Sequence, residues 1–146
     1  MKTSILIFIL SFSLLSVFAQ NSCKKCNIEK VKDADIHLAD LSYQIIFDFL
    51  CTFDTICQNY SEFYEYSNEI LFKVLDKNPS LFIKAIRTEQ LNKKIILSVL
   101  QDPLTDFKIQ PIYDKVKALK TDQQLKTEFL NSLIIASQTN NQILNK

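Results

Sequence analysis

The chain of 146 residues contains no glycine. Average usage of about 7 % would place roughly nine in a mature domain of this size. Phosphate cradles, dinucleotide-binding turns, nucleophile elbows and standard EF-hand loops all need glycine where the backbone turns tightly or approaches a ligand. None of them can be built here in its usual form. A single histidine, His37, excludes a His-rich metal site. An excess of either charge is missing as well. Beyond residue 19 the 17 Lys and Arg lose only Lys2, leaving 16 basic against 16 acidic residues. A net charge of zero supplies neither the basic footprint of a nucleic-acid binder nor a polybasic membrane patch. Arginine is nearly absent, with Arg87 alone beside many lysines. An AT-rich genome produces that bias without selection on function.

What is present begins with a leader. Lys2, the apolar stretch from Ile5 to Phe18 and the small-residue end Val17-Phe18-Ala19 have the layout of a cleaved secretory signal over residues 1–19. The stretch falls short of the roughly 20 residues needed to span a bilayer, and no later run is long and apolar enough to do so. The expectation is a secreted or periplasmic domain of 127 residues, 20–146, burying roughly two-thirds of its unfolded surface. Residues 20–32 form a polar, lysine-rich arm, expected to carry no helix of its own.

From there the apolar period is helical, and no window shows strand alternation with turn signals. The first helix is expected over 36–57, capped by Asp33 or Asp35, with apolar side chains including Ile45, Phe49, Phe53 and Ile56 covering over half its circumference. A helix so coated belongs at the centre of a domain. Asn59 and Glu62 have capping-box spacing and start a second helix to 77, with Tyr60, Phe63, Tyr64, Leu71 and Val74 in its buried stripe. Asn78-Pro79 opens a short third helix through Ile86, Thr88 a fourth to 100, Pro111 a fifth to 119, and Thr121 with Gln124 a sixth to 138. The tail, 139–146, is expected to fray. The class is therefore all-α: five or six helices in an irregular bundle or short stack of helical hairpins, a single domain over 33–138 stapled by disulfides.

The staples are Cys23, Cys26, Cys51 and Cys57. An even cysteine count in a small secreted domain points to disulfides. Within one intact helix Cys51 and Cys57 would stand roughly 9 Å apart along the axis, beyond the reach of a bridge. The arm must then reach back, pairing Cys23 with Cys51 and Cys26 with Cys57, or Cys23 with Cys57 and Cys26 with Cys51. A redox role for the Cys23-x-x-Cys26 motif is the rival reading, but no strand precedes the motif.

The zero net charge hides a segregation. Between 33 and 72 stand eight acids, Asp33, Asp35, Asp40, Asp48, Asp54, Glu62, Glu65 and Glu69, and no Lys or Arg. Glu62, Glu65 and Glu69 fall within about 60° of one another on a helix, with Tyr66 between them. The plain expectation is a solvated acidic face packed near the lysine-rich half of the chain. The functional expectation is a docking face for a basic protein, formed by Glu62, Glu65, Tyr66, Glu69, Asp40 and Asp48, with Tyr66 as its aromatic anchor.

Together these features point to a non-enzymatic interaction domain, in one concrete form an immunity-type inhibitor of a basic partner. No cofactor and no metal is expected, nor any nucleic-acid partner. The alternatives are a carrier of an apolar ligand and a thiol–disulfide oxidoreductase acting through Cys23 and Cys26. Asn59-Tyr60-Ser61 matches a glycosylation acceptor, where the compartment offers that chemistry.

Overall fold

A computed structural model describes residues 23–145, so the expected signal, 1–19, lies outside the described residues. The architecture is all-α, as the apolar period implies. Seven α-helices follow one another: α1 (Ile28–Ile36), α2 (Tyr43–Leu50), α3 (Ser61–Lys77), α4 (Pro79–Ile86), α5 (Lys93–Val99), α6 (Ile109–Ala118) and α7 (Gln123–Thr139), with a 3-10 turn at Thr55–Asn59 between α2 and α3. No strand occurs among the described residues.

Two expectations about the N-terminal third are corrected. The arm does carry a helix: Asn27 accepts a hydrogen bond from the Glu29 N–H at 3.1 Å and starts α1, which buries Val31 and Ala34. The continuous helix expected over 36–57 is instead broken. Its chain passes through a loop, α2 and the 3-10 turn, because Ser42 and Asp54 hold the backbone N–H groups of Ile45 and Ile56 with their own side chains. An apolar stripe wider than half a helix is what short segments of different direction look like when read as one.

The centre of the domain is consequently α3, which packs against α1, the 3-10 turn, α4 and α6. Ile70, Leu71, Phe72, Val74 and Leu75 on α3 are completely buried. Tyr60, not Asn59, is its N-cap and makes no side-chain capping bond, so the expected capping box is absent. Asn78 ends α3 and caps α4 by accepting from the Leu81 N–H at 3.1 Å, with Pro79 in the first turn. Asn92 and Asp122 cap α5 and α7, in place of Thr88 and Thr121. Phe82 meets Phe129 edge-on at 5.7 Å, tying α4 to α7, and Phe72 stacks on Phe107 at 4.8 Å.

Both ends of the described segment are fastened. Disulfides join Cys23 to Cys51 and Cys26 to Cys57, the first of the two expected pairings. The conclusion survives although its premise does not, since Cys51 caps α2 and Cys57 lies in the 3-10 turn. Sequence separations of 28 and 31 residues make each bridge worth roughly 3.5 kcal/mol in the chain-entropy model. At the other end, the tail expected to fray carries defined bonds. Asn141 takes φ of 53°, while the N–H groups of Asn141 and Gln142 donate to Gln138 and Ser137 carbonyls. This is the paired bonding of a Schellman cap, with asparagine where glycine is usual. Gln142 then accepts from the Ile109 N–H at 3.0 Å and donates to the Phe107 carbonyl.

Candidate interaction surface

Glu62, Glu65 and Glu69 on α3 sit at the spacing i, i+3 and i+7, so the helix itself gathers them. Glu62, Glu65, Tyr66 and Glu69 line one open cleft of about 590 Å³. Its opposite wall, Leu104 and Thr105, is held by a side chain from α3 itself. Asn68 is fully buried; its Nδ2 donates to the Asp102 carbonyl at 2.9 Å and the Val99 carbonyl at 3.4 Å, and its Oδ1 accepts from the Leu104 N–H at 3.1 Å. A buried amide with three bonds made, both donors used, is held rigidly. It pins the chain after α5 beside the acidic face.

Tyr66 lines the cleft but uses its hydroxyl within the fold. Its hydroxyl donates to Asp35 Oδ2 at 2.7 Å, joining α3 to α1. Burial, then that hydrogen bond, then the charges of Asp35 and Glu69 push the phenol up to about 12. Asp40 and Asp48 lie apart from the cleft lining. Asp40 is exposed in the loop between α1 and α2. Asp48 accepts from Lys30 Nζ at 2.7 Å and borders a smaller cleft with Lys24, Asn27 and the Cys23–Cys51 bridge. That bond holds Lys30 above the ordinary lysine range.

Ion pairing separates the acids further. Of the eight acids between 33 and 72, five lie within 4.0 Å of a basic group: Asp33 with His37, Asp35 and Glu69 with Lys73, Asp48 with Lys30, and Asp54 with Lys25. Of these partners only Lys73 belongs to the lysine-rich half of the chain; Lys25, Lys30 and His37 precede it. The remaining three, Asp40, Glu62 and Glu65, are exposed and have no ion-pair partner among the described residues, and of these Glu62 and Glu65 share one face of α3.

Sequence reasoning missed the neighbour of this cleft. Lys25, Cys26, Ile28, Ile56, Tyr60, Glu62 and Phe63 line a second open cleft of about 550 Å³, which shares Glu62 with the first. Ile56 and Tyr60, both placed in buried stripes by the helical period, are 58 % and 60 % exposed. The break at Asp54 turns Ile56 outward, and Tyr60 precedes α3 rather than lying on its buried face. Asp54 and Asn59, turn-forming residues on either side of Ile56, were the available signal.

The remaining chemistry is modest. Among the described residues no group of three or more His, Cys, Asp and Glu could hold a metal ion. A mixed-charge cleft between α4 and α7 includes Arg87, Glu89 and Asp122, and there Lys93 pairs with Glu128 at 2.7 Å. His37 sits at the end of α1 with Nδ1 2.8 Å from the Asp33 carbonyl. No helix of the described residues is long and apolar enough to cross a membrane. Compared with protein-family models, with curated proteins and with solved structures, the chain matches none.

Proposed function

We propose that this protein is a secreted or periplasmic, non-enzymatic helical domain that binds a basic protein through the acidic cleft of α3. The observation that carries the reading is the grouping of two unpaired acids, Glu62 and Glu65, on one face of α3. Five of the eight acids between 33 and 72 meet a basic group of their own fold; of the other three, Asp40 stands alone in a loop, whereas Glu62 and Glu65 present bare carboxylates together on one helical face. Unpaired charges gathered on a rigid rim steer an oppositely charged partner and set its register. An immunity-type inhibitor that neutralises a basic toxin outside the cytoplasm is the concrete form of this proposal.

Two other readings have less support. A redox-active Cys-x-x-Cys pair bonds to itself when oxidised, whereas Cys23 and Cys26 are each bonded to a distant partner. A carrier needs space between helices, and here the buried phenylalanines Phe49, Phe72, Phe82 and Phe129 fill the core.

The test is capture of a partner from the protein's own compartment at low salt, elution at high salt, and comparison with a Glu62→Gln/Glu65→Gln variant. One stoichiometric basic protein, bound more weakly and with a flatter salt dependence by the variant, is the expected result. Equal affinity and equal salt dependence for both proteins removes the acidic cleft from the mechanism.

A further inference from the structure

The acidic cleft accounts for Glu62 and Glu65 but leaves its apolar neighbour unused. Ile56 and Tyr60 are 58 % and 60 % exposed over a floor that includes Ile28 and Phe63. Adjoining apolar side chains held open to water on a rigid frame gain free energy when they are covered. The frame is rigid here because the Cys26–Cys57 bridge ties one wall to the residue following Ile56. Lys25 at the rim lies 4.0 Å from Asp54, so its charge is engaged within the fold. Glu62 belongs to both clefts, which makes the apolar floor and the bare carboxylates one continuous surface.

We infer that this joint surface receives a short segment of the basic partner in which an apolar side chain lies beside lysine or arginine. The apolar side chain packs on Tyr60 and Ile56, while the neighbouring cation meets Glu62 and Glu65. Charge complementarity selects this occupant: a purely apolar segment would leave the carboxylates unmatched, and a purely basic one would leave Ile56 and Tyr60 in water. The inference rests on the acidic-surface reading and adds the apolar half of the recognition. It also moves the aromatic anchor from Tyr66, whose hydroxyl is bound to Asp35, to Tyr60.

The experiment uses two labelled peptides, one with Leu-Phe between pairs of lysines and a control with Ala-Ala in their place. Fluorescence anisotropy follows binding to the disulfide-bonded protein, and methyl NMR follows Ile56. The Leu-Phe peptide is expected to bind roughly tenfold more tightly than the control and to shift the Ile56 methyl signals. Tyr60→Ala, and separately Ile56→Ala, should erase that advantage while keeping the salt dependence. Equal affinity for the two peptides overturns the apolar half and leaves the acidic-surface reading intact. No binding of either peptide at millimolar concentration overturns this inference as well. Ile56 shifts that instead track protein concentration, with a dimer in sedimentation, assign the cleft to a second copy of the chain. The parent reading fails separately, when the captured partner ignores both salt and the Glu62→Gln/Glu65→Gln change.

Discussion

Replacing Asn68 with alanine should destabilise the fold and release one wall of the acidic cleft in the same step. The side chain is fully buried and makes three hydrogen bonds, to the Val99 and Asp102 carbonyls and from the Leu104 N–H. Their loss is unequal. The Val99 carbonyl keeps a second donor, the Asp102 N–H at 3.3 Å, and stays satisfied. The Asp102 carbonyl and Leu104 N–H lose the partners that Asn68 gives them. A buried polar group without a partner costs about 1–3 kcal/mol. Asp102 and Leu104 are exposed, so water partly replaces the amide and the low end applies. The sum, with a small void, is about 2–3 kcal/mol, or a fall in Tm of roughly 10 °C for a domain of this size. The chain has no tryptophan, so urea unfolding is followed by helical circular dichroism. A lower midpoint with an unchanged slope is expected. Asn68→Asp sharpens the test. It keeps the acceptor for Leu104 but turns the donor into a carboxylate oxygen facing two carbonyls, so it should be less stable than the alanine variant near neutral pH. Refutation is simple: an alanine variant within about 0.5 kcal/mol of the parent, the ordinary surface range, or an aspartate variant that outlasts it.

Two further outcomes follow from the same network of inter-element bonds. Tyr66, raised to about 12 from an ordinary 10 by burial, the Asp35 hydrogen bond and neighbouring acids, holds its proton more tightly folded than unfolded. Its contribution is complete below pH 10 and is lost as pH rises towards 12. Tyr66→Phe should flatten alkaline unfolding in that window, and an unchanged alkaline slope would count against burial of the phenol together with its Asp35 bond. At the other end of the chain, Gln142→Ala removes the acceptor for the Ile109 N–H and the donor to Phe107. Hydrogen exchange at Ile109 should accelerate roughly tenfold, the equivalent of about 1.4 kcal/mol. Equal protection in both proteins would mean that the tail is not fastened there.

How far the residues themselves foretold this depends on the kind of signal each carried. Helical class was legible because the apolar period recurs over most of the chain, and Asn78-Pro79 marks the start of α4 to the residue. The break before α3 was hidden because apolar continuity through Ile45, Phe49, Phe53 and Ile56 outweighs single polar residues in any periodic reading. Ser42 and Asp54 broke it through side-chain bonds to the backbone, a local competition that hydrophobic period does not register. At the site, clustering of Glu62, Glu65 and Glu69 was visible, since it needs only helical geometry. That Glu69 is neutralised by Lys73 and Tyr66 held by Asp35 depends on packing of α1 against α3. Asn68 gave no signal at all: a polar residue on a helix looks solvent-facing until the loop it binds is known.

The missing glycine links the fold to the surface. Among the described residues two take the left-handed backbone conformation that glycine would adopt freely, Cys26 at φ 52° and Asn141 at φ 53°. Asparagine tolerates that region, whereas for cysteine it costs on the order of 1 kcal/mol. Cys26 is held there by two bonds to the segment after α2. Its N–H donates to the Thr52 carbonyl at 2.8 Å, and its sulfur is bridged to Cys57. A bridge worth roughly 3.5 kcal/mol outweighs the backbone cost. The bridge thus ties Cys26 to the 3-10 turn, which packs against α3, and Cys26 lines the apolar cleft that Ile56 and Tyr60 open. A surface fixed in this way loses little entropy when a partner covers it. The same bridge that holds the turn at Cys26 therefore also presents Tyr60 beside Glu62, and opening it should loosen the proposed recognition surface before the core behind α3 is touched.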